Sequence, residues 1–322
     1  MYYEYFGLNQ APFRITPDTQ LFYSGGRRGA VLDALQYAVL SGEGITKVVG
    51  EVGSGKTMLA RMLAQRLPKS VELVYLANPN LPPEKVLQAI AQEMRLRLKA
   101  GADRLYVLQR IQQRLLKKHA ENKQVVVFVE EAQSAPLETL EELRLLSNLE
   151  TEHHKLLQIV LFGQPELDEH LAVPHVRQIK ERITNSFYLT ALKKREIHDY
   201  LLYRLRISGY RDEDIFSANA LRLLAYSSKG LMRRINILAD KAMLAAYSNN
   251  TKCISAKHIW SAVKDSEFRR NKLRWRTALL ALTFFACILG ITSAGTITWA
   301  ASKSQVETLL QSLPVPALQQ SK

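Results

Sequence analysis

Two short stretches carry side chains whose types and spacing could do chemistry together. The first is GEVGSGKT, Gly50 to Thr57, which satisfies the pattern G-x-x-x-x-G-K-[ST] between an apolar run and the helical pattern MLARMLAQRL. In such a loop Gly50, Gly53, Ser54 and Gly55 let backbone N–H groups turn in around phosphates at a helix N-terminus. Lys56 supplies charge to the β and γ oxygens, and the Thr57 hydroxyl ligates Mg²⁺. The second stretch is VVVFVEEAQSA, residues 125–135, where apolar strand formers end in Glu130 and Glu131 with the polar Gln133 close behind. Carboxylates at the tip of a buried strand are costly to desolvate unless a cation or donor meets them. A magnesium-bound triphosphate is such a cation, and successive residues at a strand end point to different sides. Glu130 is therefore expected at the metal's water shell and Glu131 at the attacking water. The competing reading is a pair of solvated carboxylates opening a helix. The expected ligands are a nucleoside triphosphate and Mg²⁺, and the expected chemistry is attack of water on the terminal phosphate.

These residues need a sheet to hold them. Strand-like runs at 45–49, 71–76, 124–129, 157–162 and 186–189 alternate with helical patterns at 57–67, 84–98, 105–119 and 137–148. That alternation predicts an α/β fold, a parallel sheet covered by helices on both faces. From about Lys194 the strands stop, and helical patterns follow at 195–206, 218–226, 231–247 and 256–268, the last with Ser255 as N-cap. The expected organisation is a leader and helix over 1–43, a P-loop core over 44–190 and a small all-helical lid over 191–268.

Composition sets the remaining bounds. With 47% hydrophobic and 23% charged residues the chain suits a globular protein with a real core rather than disorder. Its cysteines, Cys253 and Cys287, lie far apart without metal-ligand spacing, which argues against a disulfide framework or a zinc site and for a reducing compartment. The N-terminal MYYEYFGLNQAPF lacks the basic region and apolar run of a signal peptide. The net charge of +14 invites a nucleic-acid reading, but five of the cations, Arg269, Arg270, Lys272, Arg274 and Arg276, sit directly before an uncharged run at 277–300. A bilayer span needs about 20 apolar residues. Residues 277–300 are therefore expected to be a transmembrane helix, bracketed by Trp275 and Trp299. The basic flank then keeps the bulk of the chain cytoplasmic and puts the tail at 301–322 across the membrane.

The pairing of GEVGSGKT with EEAQ, followed by LRLLSNLET, LLQIVLFGQPEL and GLMRRIN, resembles the AAA+ ATPases of the ExeA/GspA secretion type, including pilus-biogenesis relatives. The opening YEYFGLNQAPFRITPDTQLFY is similar to that family's N-terminal signature, so the resemblance spans roughly residues 1–268. It implies that the nucleotide is ATP, hydrolysed with water to ADP and phosphate, and a polar sensor-1 role for Gln164 near the γ-phosphate. It also implies an arginine finger at Arg182, with Arg177 as competitor, and a sensor-2 role for Arg233, with Arg234 as competitor. A finger acts on a neighbouring subunit, so a homo-oligomeric ring is implied, on a bacterial inner membrane, serving secretion or pilus assembly proteins. Two residues depart from the family pattern: Glu130 stands in place of aspartate, and Met232 in place of proline. Two other readings compete. One is a DNA-associated AAA+ regulator of the transposition type, resting on basic residues such as Arg27, Arg28 and the KKR at 193–195. The other is a nucleotide-gated scaffold with little hydrolysis.

Overall fold

Strand β3 (Gln124–Val129) shows how this chain builds its centre. Its run of valines and phenylalanine has no polar face, and every residue after Gln124 is buried. Such a strand must be covered on both sides. Val125, Val127 and Val129 pack into one apolar cluster, while Val126 and Phe128 pack into another across the sheet. The computed structural model describes residues 2–42, 44–174, 177–212 and 214–266. All of these belong to one compact unit.

The sheet also contains β1 (Ile45–Gly50), β2 (Val71–Leu76), β4 (Leu157–Gly163) and β5 (Ile183–Leu189). All neighbouring strands run parallel, in the order β2-β3-β4-β1-β5. On the face of Val126 and Phe128 lie α2 (Arg28–Leu40) and α3 (Lys56–Arg66), through Leu32, Leu35, Leu59 and Leu63. On the other face lie α4 (Pro83–Glu93), α5 (Arg104–Ala120) and α6 (Leu137–Ser147), through Leu87, Ile90, Ile111 and Leu143. Here the α/β expectation of a helix-covered parallel sheet agrees with the structure.

Four local expectations need correction, three of them in and around the sheet. The helix expected to reach residue 98 ends at Glu93, because Arg95 takes a left-handed φ of 57° and turns the chain, while Leu96 and Leu98 still pack on the core from outside the helix. Strand β5 begins at residue 183 rather than 186. It alternates half-buried and exposed residues, as an edge strand does, so its first half lacks the apolar run that marks the central strands. Two helices, α7 (Glu166–Ala172) and α8 (Arg177–Arg182), fill the β4–β5 connection where no helix was expected.

After β5 come α9 (Lys194–Ile207), α10 (Ala218–Ser228), α11 (Met232–Ser248) and α12 (Ala256–Lys264). The last of these is shorter than its expected 256–268, ending at Lys264. The aromatic leader is part of their core: Tyr2, Phe6, Leu8, Phe13 and Tyr23 are buried with Tyr200, Leu224, Leu238 and Ile259. Buried Arg204 fixes the leader's path, donating to the Pro12 carbonyl at 2.6 Å and the Arg14 carbonyl at 3.3 Å. The leader then reaches the sheet side, where Arg61 donates to the Pro17 carbonyl at 3.0 Å. Among the described residues no helix is long and apolar enough to cross a membrane. The expected span at 277–300, its basic flank and the tail at 301–322 lie outside the described residues.

Candidate nucleotide site

Strand order decides which loops meet. Strand β1 leads into the glycine-rich loop, β3 leads into Glu130 and Glu131, and β4, which lies between those two strands, leads into Gln164. Three loops distant in sequence are thereby brought to adjacent carboxyl ends of a parallel sheet, where open α/β folds bind ligands.

The loop's backbone explains its glycines. Gly53 and Gly55 have φ of 81° and 105°, a region that L-residues with a Cβ rarely occupy. Gly50 has an ordinary φ, and its constraint is space: a Cβ there would lie 2.6 Å from the Ser54 hydroxyl oxygen. The loop delivers Lys56 as the first residue of α3, with 8% of its surface exposed. Its Nζ donates to the Gly50 carbonyl at 2.7 Å and the Glu51 carbonyl at 3.2 Å. Burial lowers the Lys56 pKa, against the opposing pull of Glu131, Glu51, Glu166 and Glu130.

Next to it, the Thr57 hydroxyl donates to Glu130 Oε2 at 3.1 Å. A hydroxyl and a carboxylate in contact are hard oxygen donors of the kind Mg²⁺ takes alongside phosphate oxygens. Glu131 faces elsewhere. Its Oε2 accepts from Gln133 Nε2 at 2.7 Å and from Gln164 Nε2 at 3.0 Å. Burial alone would raise the Glu131 pKa, but these two amide donors and the charge of Lys56 outweigh it and hold the carboxyl below its usual range. The two glutamates therefore occupy separate surroundings.

The helices after β5 also touch the loop. The backbone N–H of Arg233 donates to the Gly53 carbonyl at 3.2 Å, and a Cβ on Gly53 would come within 2.7 Å of the Arg233 Cβ. The Arg233 side chain itself is exposed. Arg182 does not join the group. It immediately precedes β5, whose far end, Leu189, pairs with Gly50, so it lies roughly 20 Å away along the strand. It too is exposed, whereas Arg177 forms an ion pair with Glu181 at 3.2 Å.

Two residues at the site were not recognised from sequence. Gln133 was legible only as a polar residue after the glutamates. The sequence places Arg28 among the basic residues that favour a nucleic-acid partner, and the structure corrects this: it is 3% exposed, and its Nη2 donates to the carbonyls of Ser54 at 3.2 Å and Thr190 at 3.1 Å. It braces the loop from behind and cannot contribute to a nucleic-acid surface. No spacing signal distinguishes it from the exposed cations, since it belongs to the loop-to-helix approach rather than to a motif.

Residues 39–171 match the model of an AAA domain family. General secretion pathway protein A of Aeromonas hydrophila is 38% identical over 280 residues, which cover 87% of this chain and 51% of that protein. The chain thus spans about half the length of this curated relative. Among solved structures, the ORC2 protein of Aeropyrum pernix in its ADPNP–ADP complexes is similar with a TM-score of 0.58 at 21% identity, covering 78% of this chain and 72% of that one. Cdc6p from Pyrobaculum aerophilum is similar with a TM-score of 0.61 at 17% identity, covering 77% and 71%. At these identities the likeness is one of fold.

Proposed function

We propose that this chain is a membrane-anchored AAA+ ATPase of the ExeA/GspA secretion type, coupling ATP hydrolysis to assembly of a type II secretion apparatus or a type IV pilus. One observation carries the reading: Lys56, Thr57, Glu130, Glu131 and Gln164 converge at the ends of three adjacent parallel strands, with the two glutamates in different surroundings. The matched AAA domain and the secretion relative support it.

In this reading the loop amides from Gly50 to Thr57 cradle the phosphates, and Lys56 exchanges its two carbonyl partners for phosphate oxygens. Thr57 and Glu130 are the residues that would hold Mg²⁺, which would offset phosphate charge there. Glu131 accepts a proton from the water that attacks the γ-phosphorus while the bond from that phosphorus to the β,γ-bridging oxygen breaks and ADP leaves, and Gln164 contacts the same region from the end of β4. Residues 44–190 form the core and 191–268 the lid, and Arg233 brings the lid to the nucleotide. Arg182 is too far from its own loop to serve it, which supports action on a neighbouring copy's nucleotide and hence a homo-oligomeric ring. The run at 277–300 anchors the assembly in a bacterial inner membrane, with 301–322 on the periplasmic side.

Calorimetric titration of the full chain with Mg-ATP tests the site. The unaltered protein binds, and Lys56→Ala weakens affinity by about 100-fold or more, since a buried cation aimed at phosphate is lost. Equal affinity in the two proteins refutes the assignment.

A further inference from the structure

Three hydrogen bonds close a ring around Glu131. Gln133 Nε2 and Gln164 Nε2 both donate to Glu131 Oε2, at 2.7 and 3.0 Å, while the backbone N–H of Gln164 donates to Gln133 Oε1 at 3.0 Å. A backbone N–H can only donate, so the Gln133 amide must present its oxygen to β4's end and its NH₂ to the carboxylate. The orientation of Gln133 is thus set by main chain rather than by a rotatable group. Glu131 itself has a left-handed φ of 49°, and its carbonyl accepts from both the N–H and the hydroxyl of Ser134 at 2.8 Å. The apolar packing of this turn falls to Ala132 and Ala135, not to the half-buried Gln133.

We propose that Gln133 is the positioning residue for Glu131, converting the position of the β4 end into the direction in which the carboxylate faces. Both amides hold the same oxygen, so the carboxylate is fixed along one edge and offers Oε1 to the attacking water. A displacement of Gln164 by the γ-phosphate then moves Glu131 by two routes, one through its own amide and one through Gln133. This inference rests on the ATPase reading above.

Gln133→Met keeps side-chain length and removes both hydrogen bonds. The expected result is a fall in kcat of about 10- to 100-fold with Mg-ATP affinity within about twofold of the unaltered chain. Gln164→Met behaves similarly, and the double variant is only a few-fold below either single, because the ring fails as a unit. A Gln133→Met protein that hydrolyses normally, or that loses affinity in step with kcat, overturns the proposal. A second readout is independent of turnover: ¹H–¹⁵N spectra of the side-chain amides in the nucleotide-free full chain. Glu131→Ala should shift the Nε2 signals of both glutamines, and unchanged signals overturn the proposal whatever the kinetics. Shifted signals in a chain that releases no phosphate would instead sink the ATPase reading, and the positioning role with it.

Discussion

Arg28 offers a quantitative test of how the site is held. Its guanidinium is buried and reaches three segments: the Ser54 carbonyl in the phosphate loop at 3.2 Å, the Thr190 carbonyl just beyond β5 at 3.1 Å, and the Gly26 carbonyl at 3.3 Å. Hydrogen bonds to a charged donor contribute about 1.5–3 kcal/mol each. The two shorter ones together give roughly 3–6 kcal/mol. Burying the cation takes part of this back, as its lowered pKa reflects. Arg28→Met should therefore destabilise by about 3 kcal/mol, which for a unit of this size is a fall in Tm of roughly 6–12 °C. Calorimetric melting of the full chain in detergent measures this. Arg28→Lys should not recover the loss, because one ammonium cannot serve three separate carbonyls in the guanidinium's fork geometry. A fall of less than about 2 °C for Arg28→Met would refute the bracing role. If Arg28 acted as a surface cation for nucleic acid, its loss would leave Tm unchanged and reduce the salt dependence of DNA binding.

Arg182→Ala should leave ATP affinity nearly intact and reduce hydrolysis, and mixing it with Glu131→Gln protein should recover part of the turnover, because an intact Glu131 site can then receive an intact Arg182 from its neighbour. Failure of every mixture to recover activity would remove the trans role. Glu130→Asp should retain or raise phosphate release, since the shorter carboxylate relaxes the direct contact with Thr57 and would leave room there for a hydrated Mg²⁺; a large loss would mean the site is tuned to the longer side chain. Removing residues 269–322 should yield a protein that still binds ATP but leaves the membrane fraction, and persistence in that fraction would refute the anchor.

What the sequence could reveal depended on how each element is buried. The central strands are almost wholly buried and mostly apolar, so their runs stand out, and the loop's glycines and lysine have few other physical uses in that order. Edge strand β5 alternates half-buried and exposed residues and carries Thr184, Asn185 and Ser186, which hides its first half. Helices α7 and α8 are only 7 and 6 residues long, too short for a 3.6-residue period to show. The end of α4 was obscured because Leu96 and Leu98 continue the apolar pattern after the helix has turned away at Arg95. Arg28 and Gln133 could not be assigned because a buried brace and a solvated cation, or an aimed amide and an idle one, are the same letters in a sequence. Only the tertiary approach of Thr190 to Arg28, and of Gln164 to Gln133, separates them.

The central claim is that Glu131 activates water at a site that binds ATP without it. Phosphate release by the full chain at saturating Mg-ATP, compared with Glu131→Gln, measures this directly. The predicted result is steady release by the unaltered protein, with release by Glu131→Gln lower by about 100-fold or more at unchanged ATP affinity. Equal release by the two proteins would contradict the account.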